Sequence, residues 1–348
     1  MKVVHLFDRE RGSRYPLMIN QGLIASNRVS KLTVNQDVVS LGDVLLPASA
    51  PAELMKACQQ ADLVFRPSRS HFSIEGLSAA LLNQVEPERI VYYDFNDWPL
   101  IDYDVLDRVG LYVKRTPLVE WEAPGLRKLS HVKGVYYAGY CVLDEYTRAW
   151  VSPPFGERNI DILCLFHTDL LKGANPAEDS RRTMLKRLLK WRGNGYFLPG
   201  TNIIAGNQTT RTGRRAIFDD LPGNPFWDYL HLLKFAKIVI TPVPDHGGGD
   251  NRLWEAFAAG ALVVSNLQAA EPHLGFVPDE HYIDVDPLNP DSLAALLPRL
   301  HELLAGDERR KGIAQAGRQL ALAKHSPADR INGILSAVSS SKEEKTWL

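Results

Sequence analysis

The segment Ile238–Asn266, IVITPVPDHGGGDNRLWEAFAAGALVVSN, concentrates residue types that can do chemistry. An apolar run to Thr241 reads as a strand. Gly247, Gly248 and Gly249 follow, and Asp250 or Asn251 then offers a short side-chain oxygen that can cap a helix. A helix N-terminus presents free N–H groups and the positive end of its dipole. Glycines let a phosphate approach that backbone closely. Arg252 adds a cation in the first turn. Glu255 falls one turn later, so the two can share a face. A carboxylate there can accept from two neighbouring hydroxyls, such as a ribose diol. The same residues also fit a plain strand-to-helix turn carrying a surface ion pair, which is worth little.

Other charged residues cluster outside this segment. Asp94, Asp97, Asp102, Asp104 and Asp107 follow the apolar run RIVYY, and the first of them fall at its carboxyl end. Asp97 or Asp94 could deprotonate a hydroxyl; His5, His71 and His246 are rival bases. For Asp102 and Asp104 a turn that caps the next helix is the preferred reading. Residues 172–215 hold ten Lys/Arg against two acids, Glu178 and Asp179. A solvated helical face accounts for most of them, while the patch as a whole would also suit an anionic membrane surface or a lipid-diphosphate.

These groups need elements to position them. Apolar runs at Lys2–Phe7, Leu63–Phe65, Arg89–Tyr93, Asp161–Phe166, Tyr196–Leu198, Ile238–Thr241 and Ala261–Ser265 read as strands. Amphipathic stretches at Pro51–Gln60, Ile74–Val85, Arg181–Trp191, Pro225–Phe235, Asn251–Ala259, Ser292–Leu304 and Glu308–Lys324 read as helices. Short apolar strands alternating with helices make an α/β chain with parallel, doubly wound sheets. VSPPFGER at Val151–Arg158 is linker chemistry. Residues 1–152 and 153–338 are therefore expected to be two Rossmann-like domains facing a cleft, with 339–348 a flexible tail.

Composition narrows the function. Lys+Arg 40 against Asp+Glu 41 gives a formal net charge of -1, so no nucleic-acid partner is expected. Cys58, Cys141 and Cys164 are far apart and form no C-x-x-C, which supports neither a disulfide framework nor a structural zinc site. The first residues lack the pattern of a signal peptide, and no window approaches the length of a membrane span. A cytoplasmic protein is expected, with peripheral contact to the inner membrane as a further option.

The spacing Arg252, Glu255, Ala256, Gly260 resembles the R-x-x-E-A-x-x-x-G donor motif of GT-B glycosyltransferases, in the group-1 and exostosin-like branches. The preceding helix and strand, Tyr229–Phe235 and Lys237–Pro242, extend the resemblance, which runs from about Asn159 to Ile334. It implies a nucleotide-sugar donor held by the C-terminal domain and a hydroxyl-bearing glycan or lipid-linked acceptor. Glu255 would hold the ribose. Gly247–Asn251, Arg252 and Lys172 would face the diphosphate and sugar. Arg9 and Gly12, in the loop after the first strand, would contact the acceptor. No cofactor or metal is implied, although Asp102-Tyr-Asp104 matches the D-x-D of metal-dependent single-domain transferases. Retaining members often carry a Glu eight residues before the first; that position here is Gly247, with Asp245 or His246 nearby. A nucleotide-sugar epimerase and a non-catalytic nucleotide-sugar-binding protein are the alternatives.

Overall fold

A computed structural model of the chain describes residues 1–7, 14–40, 43–68, 84–95, 101–106, 108–115, 119–122, 125–128, 134–147, 158–164, 184, 187–188, 195–197, 233–243 and 251–343. They divide into two units, Met1–Glu145 with His325–Leu348, and Tyr146–Lys324.

The strands of the first unit are β1 (Lys2–His5), β2 (Lys31–Val34), β3 (Val38–Ser40), β4 (Asp43–Leu46), β5 (Leu63–Pro67), β6 (Ile90–Asp94), β7 (Leu111–Lys114), β8 (Val119–Glu122), β9 (Gly125–Lys128) and β10 (Val135–Tyr137). Six of them form one sheet in the order β10-β7-β6-β5-β1-β2, parallel at every pairing. β3–β4 and β8–β9 are separate antiparallel hairpins. β6 and β7 are buried at every position. A parallel sheet covered on both faces reads as continuous apolar runs for that reason. Among the described residues the helices of this unit are α1 (Arg14–Ala25), α2 (Pro51–Gln60), α3 (Tyr103–Leu106) and a C-terminal one described below.

The second unit repeats the plan. β11 (Ile160–Cys164), β12 (Gly195–Phe197), β13 (Ala236–Ile240), β14 (Leu262–Ser265) and β15 (Ile283–Asp284) pair in parallel in the order β12-β11-β13-β14-β15. Its helices among the described residues are α4 (Asn251–Ala258), α5 (Leu267–Ala270), α6 (Pro290–Ala305) and α7 (Asp307–Lys324). Ile162, Ile238, Ile240, Leu262 and Val264 from the sheet meet Leu296, Leu300 and Ile313 of α6 and α7 in one core. In both sheets the order runs outward from the first strand and then reverses to its other side. That reversal lies between β1 and β5 in one unit and between β11 and β13 in the other. In open α/β sheets ligands gather at the strands' carboxyl ends beside such a reversal.

The units do not divide where the composition suggests. The split falls between Glu145 and Tyr146, and His325 returns the chain to the first unit. There α8 (Pro327–Glu343) packs on α1. Ile331, Ile334 and Leu335 are buried. Arg28 donates to the Leu335 carbonyl at 3.3 Å and to Ser339 Oγ at 3.1 Å. Gly22 of α1 lies so near α8 that a Cβ there would fall on the Pro327 carbonyl and on Ile331. Residues 325–338 thus belong with the N-terminal unit, and the expected flexible tail is helical to Glu343. The polar SSSKE stretch continues a helix whose preceding turns are anchored. The expected helix at Ile74–Val85 and most of the Val151–Arg158 linker lie outside the described residues. All three cysteines are buried free thiols. No helix among the described residues is long and apolar enough to cross a membrane.

Candidate functional site

The carboxyl end of β13 and the start of α4 bracket the glycine segment, in the place the sheet order assigns to a ligand. Thr241 N–H donates to the Val264 carbonyl at 3.0 Å, which continues the β13–β14 pairing one residue past the strand. Ser265 Oγ donates to the Thr241 carbonyl at 2.8 Å. Asn266 Oδ1 accepts from Val243 N–H at 2.7 Å, and Asn266 Nδ2 donates to the Val243 carbonyl at 3.1 Å. The chain leaving β13 is therefore held by β14 as far as Val243.

α4 begins at Asn251, and every residue from Leu253 to Ala258 is buried. Arg252 is half-buried, and Glu255, one turn on, is 1% exposed. The helix packs on β14 and α7, with Phe257 stacked on Phe276 at 4.4 Å. It ends in a Schellman turn. Gly260 N–H donates to the Phe257 carbonyl at 2.9 Å and Ala261 N–H to the Ala256 carbonyl at 3.2 Å, with Gly260 at φ 69°. Only glycine adopts that left-handed conformation without strain. The last glycine of the R-x-x-E-A-x-x-x-G spacing thus stops the helix.

Two arginines hold the far end of α4. Arg318 Nε donates to the Ala258 carbonyl at 2.9 Å and Arg158 Nη2 to the Ala259 carbonyl at 2.5 Å. Arg158 Nη1 also reaches the Ala236 carbonyl at 2.5 Å, just where β13 begins. Burial, then the neighbouring Arg310 and Arg318, pull Arg158 down to about 10, which still leaves it cationic at neutral pH. Cations at a helix C-terminus complement its dipole. The N-terminal end, with Asn251 and Arg252, is left at the carboxyl edge of the sheet.

The first unit places its candidates differently. Asp94, at the end of β6, is the register partner of Lys114 on β7. Its Oδ2 accepts from Lys114 Nζ at 2.7 Å and from the Tyr112 hydroxyl at 2.9 Å. Burial pulls the Lys114 ammonium down while Asp94 opposes that shift. Both bonds come from neighbours on β7, inside the sheet. The geometry therefore gives Asp94 a structural role in place of the expected catalytic one. His5, at the end of β1, is fully buried between Asn20 Oδ1 at 2.7 Å and the Tyr93 hydroxyl at 2.8 Å. An amide oxygen on Nδ1 requires a proton there, so Nε2 accepts from Tyr93. Burial lowers His5 to about 4, against the opposing Asn20 bond. Asp102 and Asp104 are exposed at the start of α3. Among the described residues no group of three His, Cys, Asp or Glu could hold a metal ion.

The structure thus brings Asn251, Arg252 and Glu255 together on one helix. Arg9, Gly12, His71, Asp97, Asp107, Lys172, Asp245, His246, Gly247, Gly248, Gly249 and Asp250 lie outside the described residues. Asn266, Arg158, Lys114 and Tyr93 are additions that the sequence reading missed. Their partners are long-range, and no local spacing signals them.

Residues 203–336 match a family model described as glycosyl transferase-like. No curated protein sequence matches the chain. Among solved structures, an alpha-glucosyltransferase in complex with UDP is similar at TM-score 0.63 and 11% identity, over 97% of this chain and 99% of that one. The alpha-glucosyltransferase with UDP-glucose and DNA containing an abasic site gives TM-score 0.62 and 13% identity, over 97% and 98%. HepE from Anabaena in complex with UDP gives 0.53 and 12%, over 98% and 100%. The structures show the fold, two doubly wound α/β units as in GT-B glycosyltransferases, and residues 203–336 are similar to a glycosyl transferase-like domain.

Proposed function

We propose that the chain transfers a sugar from a nucleotide-sugar donor, bound by the second unit, to a hydroxyl on a glycan or lipid-linked acceptor, in bacterial polysaccharide or glycoconjugate synthesis. One observation carries the donor half. Glu255 is a buried carboxylate one turn into a helix that begins beyond the carboxyl end of β13, beside the sheet's reversal. In this reading Glu255 accepts from the ribose hydroxyls. Arg252, Lys172 and the N–H groups of Gly247–Asn251 stabilise the departing diphosphate, and preorganised donors of this kind need no metal. The UDP and UDP-glucose in the similar structures make UDP-sugars the first donors to test. One similar structure also holds DNA. A chain with formal net charge -1 lacks the basic excess that a phosphate backbone calls for, so a glycan or lipid-linked hydroxyl is favoured as acceptor. Asp97 is proposed as the base that takes the acceptor proton, with His246 as its rival.

A melting-temperature screen of the full chain against nucleotides and UDP-, GDP- and ADP-sugars tests the donor reading. A donor at 100 times its Kd stabilises by about 2.7 kcal/mol. Stabilisation by one nucleoside diphosphate and its sugars, insensitive to EDTA, is expected. A flat screen, or binding that needs Mn²⁺ and is lost in Asp102→Ala, would overturn it. For the base, Asp97→Asn is expected to keep donor binding and lower turnover by roughly 10²–10⁴-fold. Normal turnover in Asp97→Asn would remove Asp97 from the reaction.

A further inference from the structure

The chain leaves the first unit after Glu145 and re-enters it at His325. The two passages are bonded side by side. Val142 N–H donates to the His325 carbonyl at 2.9 Å. Arg330, in the first turn of α8, donates through Nη2 and Nε to the Tyr140 carbonyl at 3.2 and 3.4 Å. Its Nη2 also lies 3.0 Å from His325 Nδ1. A guanidinium can only donate, so Nδ1 must offer a lone pair and the His325 proton sits on Nε2. His325 is buried, and this contact requires it to be a neutral imidazole.

The titratable and charged groups around the contact come from several elements. On α8, Asp329 Oδ2 accepts from Ser326 N–H at 2.9 Å and Ser326 Oγ at 2.7 Å, and Asp329 N–H donates back to Ser326 Oγ at 3.2 Å. That reciprocal box starts the helix and engages the carboxylate. On the outgoing passage Asp144 is exposed to water, and Glu145 accepts from Ser40 Oγ at 3.1 Å. Burial raises the Cys141 thiol and the Tyr15 and Tyr136 hydroxyls, so all three are neutral in neutral and acidic solution. Arg115, 4.9 Å over the Tyr140 ring, is a second fixed cation. A proton on His325 Nδ1 would point at the guanidinium and place a like charge 3.0 Å from it.

We propose that Arg330 and His325 form a pH-sensitive latch: neutral His325 holds the start of α8 against the passage Tyr140–Val142, and its protonation releases that hold. Histidine is the side chain whose charge changes between about pH 5 and 8. Release loosens the place where both connections to the second unit begin, while the sheet of the first unit stays paired.

Amide hydrogen exchange of the full-length protein, read by mass spectrometry at about pH 7.5 and about pH 5.5, tests the latch across that range. Labelling times are scaled for the pH dependence of the chemical step, and peptides from β6 and β7 are the internal control. Wild-type protection within residues 325–338 is expected to fall by roughly tenfold or more in acid, the effect of losing one hydrogen bond to a charged group, while the control peptides hold. His325→Asn offers Arg330 an amide oxygen that does not titrate, and it is expected to keep its protection at both pH values. Arg330→Gln removes the cation and is expected to show a smaller acid response than wild type; it serves alone if His325→Asn does not fold. A wild type with no acid response, or one shared equally by the control peptides, would overturn the latch. So would a full wild-type response in either folded variant.

Discussion

His5 and Asp94 are two ionisable residues at strand ends of the same sheet, and the fold treats them in opposite ways. Asp94 is kept in a buried ion pair with Lys114. Removing one member of such a pair leaves the other charge uncompensated and typically costs about 3–5 kcal/mol. Asp94→Asn is therefore expected to lower the melting temperature of the protein while leaving donor affinity unchanged; a stable variant with lost turnover would restore Asp94 to the mechanism. His5 is held neutral, its pKa lowered to about 4 by burial. The unfolded chain takes up that proton near pH 6.5, well before the folded one does. The stability His5 contributes is therefore complete above about pH 6.5, falls as the pH drops towards 4, and levels off below. The difference amounts to about 3 kcal/mol. Denaturant unfolding from pH 7 to 4 should show a shallower acid-side decline in His5→Gln than in the wild type. An identical decline would mean that other groups dominate it.

The elements differ in how plainly the sequence announces them. α2 reads from Pro51 to Gln60 because Leu54 and Cys58 alone are buried, a clean stripe on a polar helix. α4 reads to within a residue because Gly260 ends it. α1 is not visible as a helix; its first residues, up to Tyr15, are read as part of the loop after the first strand that carries Arg9 and Gly12. Eight of its 12 residues are buried, polar Asn20 and Gln21 included, so no apolar stripe stands out. Its polar residues face inward because His5 and the Asp144 N–H need them. α8 escapes notice for the converse reason, since SSSKE looks like a frayed end until Arg28 is seen to hold it. The packing of these two helices is directly testable. Gly22→Ala puts a methyl against the α8 backbone, and overpacking of this kind costs about 1–3 kcal/mol. An unaffected melting temperature would contradict that contact.

At the scale of the whole chain, the parallel α/β plan is legible because apolar strands and amphipathic helices alternate throughout. The return of the chain at His325 is not legible, because nothing local marks which sheet a helix will cover. The site divides in the same way. Arg252 and Glu255 are found from their spacing on one helix turn. Asn266 and Arg158 act on residues 23 and 101 positions away and become visible only once the strands are paired. The donor site proposed above lies on the second unit and is centred on Glu255. Calorimetric titration of UDP-glucose into the wild-type protein and into Glu255→Gln tests it most directly. The account expects one saturable site in the wild type. It expects affinity reduced by about 10- to 150-fold in the variant, the equivalent of about 1.5–3 kcal/mol for a charge-assisted hydrogen bond. Equal affinity in a folded Glu255→Gln would contradict it.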